Sequence, residues 1–440
     1  MMKNYYIETF GCQMNKSDSE LMKVSLDKSG FNESRNKDDA DIILFNTCSV
    51  RQHAEDRAIS VIKSFRNQHS KKDNIIVVTG CMAQRIGKKL INENIADLIV
   101  GPFQSPKIGE IINVFMDDQK RNVYLSQEKK DFANRIDQLL AFSRDTLFWH
   151  KWVTITHGCD NFCSYCIVPY VRGPLISFPS DIIISYLKVL ASNGIKEITL
   201  LGQNVNQYGM DIGDIPFHKL LERVAGISEF EKINFLTSHP RDFDDNIIYV
   251  IRDNKNISKS IHLPLQSGSD KILKLMKRDY TVQDYMDIID KIHKNLDNIS
   301  ISTDLIVGFH GETGNDFNHT LQMVERIKFN EAFMYAYSPR EGTFAYDMKD
   351  TVPKSEKLDR LNTLIGVQRG FSREKLSSRI DSIEEMIIER ISKKSKYEVM
   401  GKTFLNHPVI VSGNTDDIGK KIKIKITGLK GSTLYGKKNE

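Results

Sequence analysis

Gly158-Cys159-Asp160-Asn161-Phe162-Cys163-Ser164-Tyr165-Cys166-Ile167-Val168-Pro169-Tyr170 is the stretch from which the rest of the chain is read. It holds three of the six cysteines of a 440-residue protein within eight positions. Disulfide frameworks use even numbers of cysteines in oxidising compartments, and three adjacent thiols suit neither condition. Metal ligation explains the spacing better. Iron–sulfur clusters are held by cysteine thiolates at short intervals, and three ligands on a four-iron cluster leave one iron open to a small molecule. Two other readings stay open at this point: a structural zinc site with His157 as fourth ligand, or three unligated thiols. Phe162 and Tyr165, between the cysteines, are expected either to shield a cluster from water or to belong to ordinary core.

The stretch follows a β-like run, residues 152–156. From there six strand candidates alternate with helical stretches: 152–156, 197–201, 232–236, 261–263, 300–307 and 333–337. This alternation predicts a (β/α) barrel, open because it stops at six strands. Barrels of this kind place their sites at the carboxyl ends of the strands, which is where Cys159, Cys163 and Cys166 fall. The longest helix is expected at about 270–295, and residues 355–376 read as a charged helix closing the barrel.

Upstream, residues 3–118 read as βα units in an open parallel sheet. A helix is expected to open on a Ser17–Glu20 capping box and to end near Gly30. Strand-like runs lead into Cys12, Cys48 and Cys81 in turn. Ligands of open parallel sheets bind at the carboxyl ends of strands, so these three separated thiols should converge on one crevice. A buried cysteine is often only a small hydrophobe. Three at equivalent strand ends point instead to a second cluster.

Residues 119–144 are charge-rich, lack periodicity and read as a connector between the first unit and a second spanning 145–376. A third unit, 377–440, shows short β-like runs broken by glycines and predicts a small β-barrel. Residues 421–426 alternate lysine with isoleucine, which puts the lysines on one face. Residues 401–440 hold eight lysines against three carboxylates, so the whole formal excess of +5 lies in this tail. Such a confined basic patch is the footprint of a polyanion-binding module. The amino end begins a strand-like segment without an apolar signal region, and no run approaches the ~20 apolar residues of a membrane helix. A cytoplasmic protein with reduced thiols and no membrane partner is expected.

The cysteine string, C-x3-C-x2-C after a strand, resembles the radical S-adenosylmethionine (SAM) superfamily, and its continuation through Tyr170 resembles the methylthiotransferases. The resemblance covers nearly the whole chain. Its motifs include Thr9-Phe10-Gly11-Cys12-Gln13-Met14-Asn15, Asn46-Thr47-Cys48-Ser49-Val50-Arg51, Gly202-Gln203-Asn204-Val205-Asn206 and Tyr337-Ser338-Pro339-Arg340-Glu341-Gly342-Thr343. It implies two [4Fe-4S] clusters, one generating a 5′-deoxyadenosyl radical on Cys159, Cys163 and Cys166, and an auxiliary one on Cys12, Cys48 and Cys81. It also implies SAM contacts at Gly202, Gln203, Ser238, Asp304 and Gly308, with His239 structural. The implied third unit is a TRAM domain, a small RNA-binding barrel. The implied partners are tRNA, at adenosine 37 of the anticodon loop, and a reductant protein such as flavodoxin or ferredoxin. The motifs favour the branch that methylthiolates N6-isopentenyladenosine over sister branches acting on a ribosomal-protein aspartate or on threonylcarbamoyl-adenosine. Phe309, Met334 and Tyr337 are candidates to line an isopentenyl pocket or to be barrel core. Where the family usually carries charged residues after Arg172-Gly173, this chain has Pro174-Leu175-Ile176-Ser177-Phe178.

Overall fold

The computed structural model describes residues 3–49, 52–69, 74–118, 120–126 and 149–439. The first unit contains the strands Asn4–Thr9 (β1), Asn32–Glu33 (β2), Ile42–Thr47 (β3), Ile75–Gly80 (β4), Leu98–Val100 (β5) and Asn122–Tyr124 (β6). They form one all-parallel sheet of order β2-β1-β3-β4-β5-β6. β3 and β4 are buried along their whole length, as unbroken apolar runs in the middle of a two-sided parallel sheet must be. Alternate side chains serve opposite cores. Leu44 and Val77 pack with Met22 and Leu26 of helix Gln13–Lys28 (α1) and Ile112 of Ile108–Asp118, whereas Ile43, Phe45, Ile76 and Val78 pack with Ile62 and Phe65 of Gln52–Gln68 (α2) and Met82 of Cys81–Asn92 (α3). Ile108–Asp118 is α4.

The capping box at Ser17 does not form. α1 starts a turn earlier, with Cys12 in extended backbone at its N-cap and no side-chain cap. The strand end decides the start. Ser17 and Glu20 serve tertiary contacts instead, Ser17 Oγ to Thr154 Oγ1 (3.0 Å) and Glu20 to Lys151 Nζ (3.0 Å). The connector lies outside the described residues except for 120–126, which contain β6.

The second unit runs His150–Thr154 (β7), a short antiparallel pair Thr156–His157 (β8) and Ile176–Ser177 (β9), then Glu197–Leu201 (β10), Lys232–Leu236 (β11), Ser260–His262 (β12), Ser300–Val307 (β13) and Glu331–Ala336 (β14). β7, β10 and β11 are parallel neighbours, as are β12, β13 and β14. A parallel bridge, Ile233 to Ile257, links the two halves into an open six-stranded barrel. The helices are Val168–Arg172 (α5), Ser180–Ser192 (α6), Phe217–Ala225 (α7), Asn246–Asp253 (α8), Asp270–Leu275 (α9), Val282–Asn295 (α10), Gly314–Ile327 (α11) and Lys354–Ser377 (α12). Period-two alternation sends Val153, Ile198, Leu200, Ile233 and Ile301 into the main core under these helices. The opposite strand face is polar: His150 bonds Thr199, Asn234 bonds Glu197, and His262 bonds Ser302.

The 270–295 stretch is two helices, not the single longest one. It breaks at 276–281, where Lys277 (φ +53°) and Asp279 (φ +54°) are left-handed, and α10 restarts on a Thr281–Asp284 capping box. Among the described residues the longest helix is α12, with 24 residues. Leu175 and Phe178, in the segment 174–178 after Arg172-Gly173, are buried, so this segment packs as apolar core.

The third unit is a closed barrel of Ile383–Ile391 (β15), Glu398–Thr403 (β16), Pro408–Ser412 (β17), Lys421–Lys430 (β18) and Thr433–Lys438 (β19), ordered β15-β16-β17-β19-β18. Along β18, Ile424 and Ile426 are buried while Lys421, Lys423 and Lys425 are exposed. The barrel docks at the amino ends of the second unit's strands: buried Lys232 at the start of β11 reaches Thr403 O (3.0 Å) and Asn406 Oδ1 (3.1 Å), and Lys259 N–H donates to Phe404 O. No described helix is long and apolar enough to cross a membrane.

Candidate metal and SAM centre

Cys12 follows β1, Cys48 follows β3, and Cys81 opens α3 directly after β4. The parallel sheet thus carries all three thiols to one edge. Gly11 has φ +101°, and a Cβ there would collide with Cys48, so only glycine lets the two strand ends close up. A hydrogen bond from Cys48 pulls Cys12 down to about 6 against the cost of burial, helped by the charge of Arg172. Cys81 moves the other way: its burial raises it, with Arg172 opposing.

Arg172, the last residue of α5, was visible in the sequence only as part of a motif. It is 2% exposed and donates Nε–H to Cys81 Sγ (3.2 Å), with Nη2 to Asn15 Oδ1 (2.9 Å) and Asp18 Oδ2 (2.7 Å). Its Nη1 lies 3.2 Å from His157 Nε2, so the histidine considered as a zinc ligand faces a guanidinium. Arg340 Nη1 reaches Gln52 Oε1 (2.7 Å) from the second unit, on the Cys48 side.

Cys159, Cys163 and Cys166 lie on the loop after β8. Cys166 N–H donates to Cys163 O (2.9 Å), and Cys159 N–H to Gly173 O (3.2 Å). Burial raises Cys159 to about 11 and raises Cys166 as well. Thiols so disfavoured as free anions need a cationic partner. That partner is Arg278, 4% exposed, whose Nη1 donates to Cys163 Sγ (3.4 Å) and Nη2 to Pro264 O (3.1 Å). Sequence reading missed Arg278. Its signal is the break between α9 and α10, where left-handed residues on either side turn it inward. Phe162 is 49% exposed and packs edge-on to Tyr170, so its ring does not seal the thiols from water.

Among the described residues no three His, Cys, Asp or Glu side chains are grouped tightly enough for one metal ion. Two sets of three thiols, each with a buried arginine on a sulfur, fit an anionic cluster held by thiolates.

The SAM candidates lie around the same mouth. Gly202 and Gln203 follow β10, and a Cβ on Gly202 would collide with Thr156. Gln203 Oε1, Ser238 Oγ, Gln266 Oε1 and His239 Nε2 are buried with no hydrogen-bond partner among the described residues. Unmet buried polar atoms cost about 1–3 kcal/mol each, so four at one strand edge fit a polar ligand. Thr237 (φ +72°) and Gln266 (φ +67°) hold strained left-handed backbone there. His239 Nδ1 accepts an N–H from Arg241 (3.2 Å), and burial among Arg278 and Arg241 lowers it to about 2. The ring is neutral with its proton on Nε2: a donor, not a base. Asp304 lies within β13 on the polar face, 3.2 Å from His262 Nε2. Gly308 directly follows β13; its N–H donates to Glu312 and it packs on Lys357. Phe309 and Tyr337 sit in a packed cluster, and Met334 lies against the main core.

Comparison with known proteins gives the chain's relatives. Residues 4–101 match a family described as Uncharacterized protein family UPF0004, and residues 153–324 match the Radical SAM superfamily. A tRNA-2-methylthio-N(6)-dimethylallyladenosine synthase of Thermoanaerobacter pseudethanolicus is 42% identical over 98% of this chain and 92% of its own length. One of Natranaerobius thermophilus is 38% identical over 99% and 96%. In fold, the chain is similar to the radical SAM methyltransferase TsrM of Kitasatospora setae, solved with cobalamin and a [4Fe-4S] cluster (TM-score 0.53, 11% identity, 76% of this chain and 75% of that one). The chain belongs to the tRNA-2-methylthio-N(6)-dimethylallyladenosine synthase family of the radical SAM superfamily.

Proposed function

We propose that the protein methylthiolates C2 of N6-isopentenyladenosine at position 37 of tRNA. The observation that carries this reading is that two thiol sets, separate in sequence, each meet a buried arginine, and that Cys81 of the first packs against Ile167 and Val171, which follow the second. In this reading residues 3–118 hold an auxiliary [4Fe-4S] cluster on Cys12, Cys48 and Cys81. Residues 145–376 hold the SAM-binding cluster on Cys159, Cys163 and Cys166, and residues 377–440 bind RNA. C2 of adenine is an unactivated C–H that no side-chain base removes, so bound clusters and SAM supply radical and sulfur-transfer chemistry.

The chain's own residues do the rest. Arg172 and Arg278 balance the buried negative charge of the two sites. Gln203, Ser238, Gln266 and His239 offer polar atoms for SAM, with Asp304 on the same polar strand face. An unpaired base of the anticodon loop can be splayed into the mouth. Phe309 and Tyr337 are core, so the apolar tail of the substrate meets Ile306 and Phe333, partly and well exposed on the face of Asp304. Exposed lysines of β18 and β19 hold phosphate. The electron donor is a small reductant protein of the flavodoxin or ferredoxin kind.

The test is turnover on otherwise identical tRNA with and without the isopentenyl group. Burying four or five CH₂ equivalents at about 0.8 kcal/mol each predicts several hundredfold preference for the modified tRNA. Equal turnover on both would overturn the substrate assignment, and methylthiolation of a ribosomal protein would move the chain to a sister branch.

A further inference from the structure

Arg172 belongs to the second unit by sequence, but its guanidinium lies among the thiols of the first. It contacts Cys81 Sγ directly at 3.2 Å, and Asn15, its partner at 2.9 Å, is 3.8 Å from Cys12 Sγ. Asp18, the carboxylate paired with it at 2.7 Å, is 1% exposed. An arginine keeps its charge even when buried, at a desolvation cost of several kcal/mol. Pairing with Asp18 would neutralise that charge without any contact to sulfur. The N–H···S bond is therefore the feature that needs a role.

We propose that Arg172 raises the reduction potential of the auxiliary cluster and that Asp18 holds that rise in check. This rests on the reading that Cys12, Cys48 and Cys81 hold a cluster. Reduction adds one negative charge to the cluster. A fixed cation donating to a ligand sulfur stabilises the reduced form more than the oxidised one, and a neighbouring carboxylate does the opposite. Low local dielectric makes both effects larger than at a surface. Arg172 is thus a positioning residue whose charge is read by the cluster.

The test uses the full chain with Cys159, Cys163 and Cys166 all replaced by alanine, reconstituted anaerobically with iron and sulfide. Any cluster then sits on the N-terminal thiols, and iron analysis shows whether it is present. Its midpoint is followed by electron paramagnetic resonance as dithionite is added in the presence of mediators. Against that parent, Arg172→Met is expected to shift the midpoint to lower potential and Asp18→Asn to higher potential. Arg172→Lys, which keeps the charge, should stay near the parent. Opposite shifts from adjacent substitutions follow from electrostatics; general loosening of the site would not produce them. A parent without iron would overturn the cluster reading and this inference with it. A parent that holds iron, with a midpoint unmoved by either substitution, would overturn the role of Arg172 alone. If Arg172→Met loses its iron, the direction of the Asp18→Asn shift decides.

Discussion

The two thiol sets reach the same chemical arrangement by opposite routes. Cys159, Cys163 and Cys166 are neighbours on one loop, whereas Cys12, Cys48 and Cys81 come from three strand ends and are joined by the sheet. Each set nevertheless ends against one buried arginine that is foreign to it: Arg278 lies 115 residues from the thiol it touches, and Arg172 lies 91 residues from its own. Thiols can be gathered locally or by topology. The cation that makes their ionised form tolerable in a low-dielectric interior must be brought from elsewhere, because a flexible arginine beside a loop cysteine would turn to water.

The largest effect separates the sets by function. Cys163→Ala should abolish reductive cleavage of SAM, while Cys48→Ala should still release 5′-deoxyadenosine and make no methylthio product. Anaerobic turnover analysed by chromatography checks this, and full product formation by Cys48→Ala would remove the distinction. Next, Arg278→Met should cost roughly half the bound iron, one cluster of two, and leave the auxiliary site loaded. Iron retention at the unsubstituted level would mean that the arginine near Cys163 only packs.

Burial should also act on neutral groups. His150, His239 and His407 are held down to about 3, 2 and 4, in each case mainly by desolvation. Below pH ~6.5 the unfolded chain takes up protons that these rings refuse. Stability present above that pH is therefore lost as pH falls, by up to about 2 kcal/mol per histidine at pH 5. Urea denaturation at pH 7 and pH 5 measures the loss, and identical midpoints would contradict it. The smallest effect concerns the tail. Lys421, Lys425 and Lys438 have carboxylate partners, whereas Lys423, Lys430 and Lys437 have none among the described residues. Replacing each of the latter with glutamine should flatten the log–log salt dependence of tRNA binding by about 0.7–0.9 for every phosphate no longer neutralised. An unchanged slope would mean these lysines meet only solvent. Substitution is preferable to truncation, which would strip Thr403 and Asn406 from buried Lys232.

Much of this architecture was legible before any coordinates. All six barrel strands fall within two residues of their expected positions, because unbroken or alternating apolar runs bounded by polar turns leave few other solutions. The terminal barrel followed from short β-like runs broken by glycines, although its last strand, Thr433–Lys438, was too glycine- and lysine-rich to stand out. The Ser17 capping box failed because local propensity is a matter of a kilocalorie and the contacts to Thr154 and Lys151 outweigh it.

By itself the sequence singled out the six cysteines as the candidate ligands, three on one loop and three at strand ends, since residue identity and strand order are written in the chain. Only the tertiary structure decided what surrounds them. The α9–α10 break that aims Arg278, the reach of Arg172 across units, and the buried polar atoms of Gln203, Ser238 and Gln266 depend on packing between residues far apart in sequence. No local period encodes such packing. Long-range electrostatic compensation is a property of the folded interior, where the dielectric is low, and it becomes visible only when that interior is assembled.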